Sequence, residues 1–222
     1  MLWEIESMKA CLFDLDGTLV QSEGLKAQAL ATACVGCGAP QADPRLYAEV
    51  MGQDWNAVTG HFFKTYRIEI GAAEFNNRFR AIYLSLMKEG VALTEGAMEF
   101  IQECRSAAMA LGLVSSADSW MVAEILRLLD FEGLFDVIVT KNDVVRHKPD
   151  PEAYLLAMSR LNLVTESVIV FEDSEAGLKA AIDAGCRCIV VRHPFNGRHD
   201  LSTAFRQIVS FDEIRNVNDF IA

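Results

Sequence analysis

From Thr94 to Val191, short apolar runs alternate with segments of helical periodicity, and this pattern constrains the fold more than any other feature. The apolar runs span four or five residues, a length typical of buried strands. The predicted helices are Gly96–Ala108, Trp120–Leu129, Pro151–Asn162 and Glu175–Ala184, and the predicted strands are Ala110–Val114, Val137–Thr140, Val168–Phe171 and Cys188–Val191. Strict alternation predicts a parallel sheet with helices on both faces. Ligands bind beyond the carboxyl ends of the strands in such sheets, so the residues there are the candidates for function.

The chain before Thr94 has a different character. Lys9–Phe13 is an apolar run that predicts one more buried strand, ending at Asp14. Residues 23–89 then show helical periodicity, with three successive apolar faces and with Gly and Pro between them. We therefore expect a small all-α bundle inserted after the first strand.

The charge balance narrows the classes of partner. The chain carries 31 acidic against 20 basic side chains, a formal net charge of −11. This argues against nucleic acid and anionic membrane surfaces, which attract basic patches. The sequence contains no run of about 18 apolar residues, the length that would predict a membrane span. We expect a cytoplasmic protein. An acidic protein that binds an anionic substrate needs a local cation, either a metal ion or a placed Lys or Arg.

The six cysteines do not suggest a disulfide framework in a chain of this length. Cys34 and Cys37 have the spacing of a metal knuckle or a redox pair, but they stand alone. Cys186 and Cys188 lie in an apolar, strand-like run. We interpret all four as small structural residues rather than as zinc ligands or redox groups.

Polar and charged side chains lie at four separate places near the predicted strand ends. Their carboxylates, hydroxyls and ammonium group could together bind a divalent metal ion and a phosphoryl group. The segments are Asp14–Leu19 (Asp-Leu-Asp-Gly-Thr-Leu), Ser115-Ser116, Lys148–Pro151 (Lys-Pro-Asp-Pro) and Glu172–Ser174.

The carboxylates of these segments suit phosphoryl transfer. Asp14 and Asp173, with Glu172, offer the hard oxygen ligands that Mg²⁺ prefers. Asp14 could attack phosphorus as a carboxylate nucleophile. Asp16, two residues further on, could protonate the leaving alcohol and later take a proton from the water that hydrolyses the aspartyl phosphate. The residues therefore predict a Mg²⁺-dependent phosphatase that hydrolyses a small phosphate monoester.

The remaining groups suit phosphate binding. The Ser115 hydroxyl, with Ser116 and nearby backbone N–H groups, could hold phosphate oxygens. Lys148 adds fixed positive charge, and Gly17 allows a close backbone approach. Each residue taken alone could be a helix cap, a loop residue or a solvated lysine. The hypothesis depends on their shared position at the strand ends.

The four motifs, in this order, resemble the haloacid dehalogenase-like hydrolase superfamily, in the branch that contains sugar-phosphate phosphatases, phosphoglycolate phosphatase and β-phosphoglucomutase. The resemblance spans roughly Met8 to Val191. It implies an α/β fold with a Rossmann-like, doubly wound parallel-sheet core at residues 1–21 and 90–222 and an inserted helical-bundle cap domain at residues 22–89. It also implies Mg²⁺ held by the Asp14 side chain, the Asp16 backbone carbonyl and Asp173.

The resemblance also separates reactions within the superfamily. Dehalogenases and phosphonate-cleaving relatives lack an acid at the position of Asp16, so its presence favours phosphate-ester chemistry. A phosphosugar mutase of the β-phosphoglucomutase type shares all four motifs and stays an alternative. Asp118 and Trp55 stand where the mutase carries a lysine and an arginine, and a mutase needs extra cations to hold a bisphosphate, so hydrolysis is preferred. The other alternative is a non-catalytic phosphoaspartate signalling or interaction protein.

The cap is expected to select the substrate, a small phosphorylated metabolite, by closing over the leaving group. Gln53, Asp54 and Trp55 occupy its specificity loop and would suit a sugar phosphate. Further cap candidates are Lys26, Arg78 and Arg80. We expect loop residues rather than ligands at His147, His193 and His199. A monomer or a small homo-oligomer is expected.

Overall fold

Six parallel strands form one sheet in the computed structural model, which describes residues 8–214. In chain order the strands are β1 Ala10–Phe13, β2 Ala110–Val114, β3 Val137–Val139, β4 Val168–Glu172, β5 Arg187–Val191 and β6 Arg206–Ile208. Their spatial order is β3-β2-β1-β4-β5-β6, and every neighbouring pair is parallel. The first strand of the chain therefore lies inside the sheet, between β2 and β4.

The core helices lie on both faces of this sheet. Within residues 8–214 the α-helices are α1 Glu23–Gly36, α2 Trp55–Tyr66, α3 Ala72–Gly90, α4 Ala97–Ser106, α5 Ser119–Leu128, α6 Glu152–Leu161 and α7 Glu175–Asp183. Residues of α4 and α5 share one apolar cluster with Cys11 and Phe13 of β1, and residues of α6 and α7 share the other with Ala10 and Leu12. Alternate residues of β1 thus point to opposite, equally buried faces, which explains its uninterrupted apolar sequence. The doubly wound α/β core confirms the predicted fold class.

Aromatic packing fixes the two central strands beside each other. Phe13 of β1 stacks on Phe171 of β4 with ring centroids 4.9 Å apart, and Phe100 of α4 meets Phe171 edge-on at 5.2 Å. Burying each such side chain contributes about 1.5–3 kcal/mol. This packing also fixes the position of the chain just beyond the ends of β1 and β4.

The segment between β1 and α4 is all-α. It consists of α1, α2, α3 and a 3-10 helix at Pro44–Glu49, and it contains no strand in a stretch that the structure describes throughout. Its interior is aromatic: the rings of Phe63 and Phe75 lie 4.8 Å apart, and those of Trp55 and Phe79 lie 4.5 Å apart. The predicted helical bundle is present, and the domain boundaries at residues 22 and 89 stay a prediction.

The sequence-based prediction lacked β6. This strand has three residues, of which Arg206 and Gln207 are polar, so it offers no apolar run and no readable period. The other core elements begin and end within two residues of their predicted positions, which is the usual disagreement at element ends.

Five of the six cysteines are buried, and Cys37 is partly buried. All six lie within residues 8–214 and none forms a disulfide. Burial raises the pKa of Cys34 to about 12, so its reactive thiolate is scarce at neutral pH. Among the described residues, no helix combines the length and the apolar character needed to cross a bilayer.

Candidate active site

The carboxyl ends of three neighbouring strands meet at one edge of the sheet. Phe13, the last residue of β1, is in register with residues near the ends of both β2 and β4. Asp14 follows β1, Ser115 follows β2, and Asp173 follows β4, and all three side chains are buried. The sheet therefore brings together polar groups that the sequence supplies from three distant segments.

Lys148 reaches this edge from the loop before α6. Its Nζ atom donates to Asp14 Oδ1 at 2.7 Å and to Glu172 Oε1 at 2.6 Å. A third bond, of 2.8 Å, reaches the carbonyl oxygen of Val114. The side chain is 5% exposed. Burial alone would lower the pKa of Lys148, but the two carboxylates raise it above its ordinary value, so the ammonium group stays charged.

Lys148 pairs with two of the three carboxylates that lie together at this edge. Oxygen atoms of Asp14, Glu172 and Asp173 all lie within 4.8 Å of one another. Burial, followed by the neighbouring carboxylates, raises the pKa of Asp173 well above its usual value. Burial does the same for the pKa of Asp14, and Lys148 lowers that pKa only in part. Buried negative charge in excess, on hard oxygen atoms, is the environment that a divalent cation such as Mg²⁺ balances, so these residues fit the predicted ion.

The three carboxylates differ in how many oxygens are engaged. Glu172 Oε1 accepts from Lys148 and, at 2.6 Å, from the Tyr154 hydroxyl. Its Oε2 accepts from the Asp173 N–H at 3.1 Å and from Ser174 Oγ at 3.2 Å. In contrast, neither Asp14 Oδ2 nor Asp173 Oδ1 accepts a hydrogen bond within residues 8–214. The two aspartates therefore keep an oxygen available for a ligand, and Glu172 does not.

Asp173 is oriented from two sides. His193, just after β5, has an Nδ1 that accepts the Phe195 N–H, so its Nε2 carries the proton and donates to Asp173 Oδ2 at 2.8 Å. On the other side lies Gly17, with φ +82°, where a Cβ atom would come within 2.2 Å of Asp173 Oδ2. Gly17 is thus required for the close approach of the two strand-end loops, and its role in phosphate binding stays a prediction.

Asp16 lies in a second polar cluster, at the start of the helical insert. Its Oδ1 accepts from Ser22 Oγ at 2.5 Å and lies 3.0 Å from Nζ of Lys26. Lys26 also donates to Glu23, whose other oxygen accepts from the Tyr47 hydroxyl. Burial would lower the pKa of Lys26, but Asp16 and Glu23 raise it well above its usual value, so this lysine is charged as well.

The two predicted phosphate-binding serines differ. Ser115 is buried, and its Oγ accepts the Ala117 N–H at 3.0 Å, which leaves the hydroxyl proton for another acceptor. Ser116 is exposed. Both follow β2 at the edge where Asp14 follows β1, as predicted.

Two of the three predicted cap residues have side-chain hydrogen bonds within the cap. Asp54 caps α2, where it accepts the Asn56 and Ala57 N–H groups. The Trp55 indole donates to Asn76 at 2.8 Å, and Gln53 is exposed. Within residues 8–214 none of the three forms a hydrogen bond or ion pair with the strand-end residues, and their proposed contact with substrate stays a prediction.

Sequence reasoning missed three residues that touch the cluster. Tyr154 holds Glu172, His193 holds Asp173, and the Asn196 side chain donates to the carbonyl oxygens of Asp173 and Val191 at 2.9 Å. His193 had a usable signal, because it stands two residues beyond a predicted strand. Tyr154 lies within α6, where helical periodicity predicts that its ring is buried but does not predict the hydrogen bond of its hydroxyl group.

The comparisons with known proteins agree with this geometry. The model of the haloacid dehalogenase-like hydrolase family matches residues 11–191. A phosphorylated carbohydrates phosphatase of Thermotoga maritima is 35% identical over 216 residues, covering 95% of this chain and 98% of the relative. Validoxylamine A 7'-phosphate phosphatase of Streptomyces hygroscopicus subsp. limoneus is 35% identical over 189 residues, covering 82% and 84%. The crystal structure of CbbY from Rhodobacter sphaeroides in complex with phosphate matches with a TM-score of 0.84 and 28% identity, covering 94% of this chain and 97% of that chain.

The fold and the strand-end site define a doubly wound α/β protein with an inserted helical bundle and a buried carboxylate cluster. The chain belongs to the haloacid dehalogenase-like hydrolase family. Its similarity to named phosphatases along nearly the whole chain confirms the predicted class of phosphoric monoester hydrolase and the predicted branch of the family.

Proposed function

We propose that this chain is a Mg²⁺-dependent phosphatase of small phosphorylated carbohydrates that works through a phosphate covalently bound to Asp14. The observation that carries the proposal is the excess of buried carboxylates around Lys148 at the meeting strand ends. The substrate class is supported by the phosphorylated carbohydrates phosphatase of Thermotoga maritima, which aligns over 95% of this chain.

In the first half-reaction Asp14 acts as the nucleophile. Its carboxylate oxygen forms a bond to phosphorus, the bond from phosphorus to the leaving oxygen breaks, and Asp16 gives that oxygen a proton. Lys148 and the Ser115 hydroxyl hold phosphate oxygens and stabilise the charge that they carry. The ammonium group of Lys148, 2.7 Å from Asp14 Oδ1, also favours the ionised form of the nucleophile and so opposes the effect of burial.

In the second half-reaction water cleaves the aspartyl phosphate. Asp16, now ionised, takes a proton from the water, the water oxygen bonds to phosphorus, and the bond from phosphorus to the Asp14 oxygen breaks. When bound, Mg²⁺ supplies charge neutralisation and orientation of the phosphoryl group. Asp14, Asp173 and the Asp16 carbonyl oxygen would hold it. Glu172 was also a candidate ligand, but its engaged oxygens favour a role in holding Lys148.

Phosphate release tests this proposal. Purified protein is screened against a panel of sugar phosphates, phosphoglycolate, nucleotides and 4-nitrophenyl phosphate, with Mg²⁺ or with EDTA. We expect release from one or more sugar phosphates only with Mg²⁺. Asp14→Asn should lose at least about 10⁴-fold in kcat while keeping its circular dichroism spectrum, because no nucleophile remains.

The matched control is Asp183→Asn, on the exposed side of α7, where Asp183 pairs with Lys179. This variant should turn over like the wild type. Near-normal turnover by Asp14→Asn would refute the mechanism, and conversion of a hexose 1-phosphate to the 6-phosphate instead of free sugar would favour the mutase.

A further inference from the structure

The two oxygen atoms of the Asp16 carboxylate have different surroundings. Oδ1 accepts from Ser22 Oγ at 2.5 Å and lies 3.0 Å from the Lys26 ammonium nitrogen. Oδ2 accepts no hydrogen bond from any residue in the described range 8–214. One side of the carboxylate is thus fixed, and the other is open.

Lys26 is itself fixed from the side of the helical insert. Its Nζ donates to Glu23 Oε1 at 2.7 Å, and Glu23 Oε2 accepts from the Tyr47 hydroxyl at 2.6 Å. The side chains of Lys26 and Glu23 are 16% and 6% exposed, so solvent screens this pair little. A buried chain of contacts therefore leads from Tyr47 through Glu23 and Lys26 to Asp16.

We propose that Lys26 is a positioning residue for Asp16: by holding Oδ1 together with Ser22, it directs Oδ2 at the leaving-group oxygen. The inference rests on the proposed phosphatase mechanism, in which Asp16 is the general acid. As the bond between phosphorus and the leaving oxygen breaks, the bond from Asp16 Oδ2 to its proton breaks too, and the proton passes to that oxygen.

Fixed placement is what a general acid requires. Proton transfer needs hydrogen-bond reach of the leaving oxygen, and a small misplacement lowers the rate by a large factor. Asp16 stands on a loop just beyond β1, where the backbone alone leaves the side-chain torsions free. The paired hydroxyl and ammonium group remove that freedom.

How the loss of kcat/KM depends on the leaving group distinguishes a positioning role of Lys26 from a role in folding. 4-Nitrophenolate leaves readily as the anion, whereas phenolate leaves better when it is protonated, and the two esters have nearly the same shape. We would measure kcat/KM for 4-nitrophenyl phosphate and phenyl phosphate with wild type and Lys26→Met. We expect a loss of about 30-fold for phenyl phosphate and about threefold for 4-nitrophenyl phosphate, because only the first ester depends on the acid.

Three further variants calibrate this result. Asp16→Asn should show the same selective loss, since it removes the acid. Lys26→Arg keeps a cation beside Asp16 and should restore most of the ratio between the two esters. Lys179→Met removes an exposed lysine of α7 and should change neither value.

Equal losses for the two esters, or no loss, would overturn the role of Lys26. If Lys26→Met does not fold, Tyr47→Phe replaces it, because that variant keeps every charge and removes one hydrogen bond to Glu23. Tyr47→Phe should also lower kcat/KM more for phenyl phosphate than for 4-nitrophenyl phosphate, but by a smaller factor than Lys26→Met. Equal effects on both esters would again overturn the inference. A wild-type protein that releases phosphate from neither ester would instead refute the proposed function.

Discussion

At the scale of single residues, hydrogen bonding divides four buried acids into different roles. Asp14, Asp16, Glu172 and Asp173 are all less than 10% exposed. Each aspartate keeps one oxygen that no described residue engages, whereas both oxygens of Glu172 are occupied. We therefore expect the aspartates to meet ligands and Glu172 to act through Lys148.

Tyr154→Phe tests the role of Glu172. The change removes the hydroxyl that donates to Glu172 Oε1 but leaves Lys148 and Glu172 in contact. We expect a loss of about 2 kcal/mol in the free energy of unfolding, since the acceptor is charged, and a fall in kcat on the order of tenfold. Urea unfolding and steady-state kinetics measure both effects.

Tyr66→Phe is the matched control, because the Tyr66 hydroxyl accepts the Asp43 N–H in the helical insert, away from the strand ends. It should lower stability and leave kcat unchanged. If Tyr154→Phe also leaves kcat unchanged, the hydrogen bond between Tyr154 and Glu172 has no role in catalysis.

Gly17→Ala tests the approach of the first loop to Asp173. The new Cβ would lie 2.2 Å from Asp173 Oδ2 at a φ of +82°, so Asp173 must move. We expect the Mg²⁺ concentration that half-saturates activity to rise by about 10- to 100-fold, measured by titration of kcat with Mg²⁺.

Gly38→Ala separates this effect from backbone strain. Gly38 has a similar φ of +91°, and a Cβ there would meet nothing within 4 Å. This variant should cost about 1–2 kcal/mol of stability and leave the Mg²⁺ requirement unchanged. Equal Mg²⁺ dependence in the two variants would show that the contact with Asp173 is unimportant.

At the scale of elements, α7 packs against the carboxyl group of Glu172. Ser174 caps this helix by accepting the Gly177 N–H at 3.0 Å. Gly177 lies against the Glu172 carboxyl group so closely that a Cβ would come within 1.9 Å of its Cδ atom. The helix can thus pack over a buried carboxylate only because this position lacks a side chain.

Gly177→Ala should therefore destabilise the protein, although alanine is the better helix former. We expect a loss of about 3 kcal/mol from overpacking, and displacement of Glu172 should lower kcat as well. Gly60→Ala in α2 is the control, because a Cβ there meets nothing within 4 Å. It should gain about 0.5–1 kcal/mol, and thermal unfolding of the two variants in parallel checks the opposite signs. A stabilised Gly177→Ala would contradict the close packing.

At the scale of the whole molecule, the buried acids link stability to pH and metal. The folded-state pKa values of Asp14 and Asp173 are raised, so the stability that these groups contribute is complete below their ordinary pKa of 3.8 and is lost as pH rises through the raised values. Mg²⁺ binds the ionised carboxylates. The stability that it adds should therefore be largest at high pH, where Asp14 and Asp173 are ionised and contribute least.

We expect the rise in melting temperature on adding Mg²⁺ to be larger at pH 8 than at pH 5. At a concentration 100 times the dissociation constant the gain is about 2.7 kcal/mol, or about 5–10 °C for a domain of this size. Calorimetry with EDTA or Mg²⁺ measures it. Asp173→Asn removes one of the ligands and should show a smaller rise, and a rise that is equal at both pH values would refute the linkage.

The class of fold and the candidate residues could be predicted from the amino-acid sequence alone. Alternating apolar runs and helical periods report burial over a few neighbouring residues. This was enough to predict the parallel sheet, the helical insert, the strand-end positions of Asp14, Asp16 and Asp173 and the loop position of Lys148. It failed for β6, whose three residues hold no period.

Which of these groups are in contact could be seen only in the three-dimensional structure. The spatial order of the strands places β1 beside β4, and this brings Lys148 between Asp14 and Glu172 and Tyr154 against Glu172. The tertiary structure also sets Lys26 against Asp16. Local periodicity carries no information about such contacts, because they depend on which distant segments pack together.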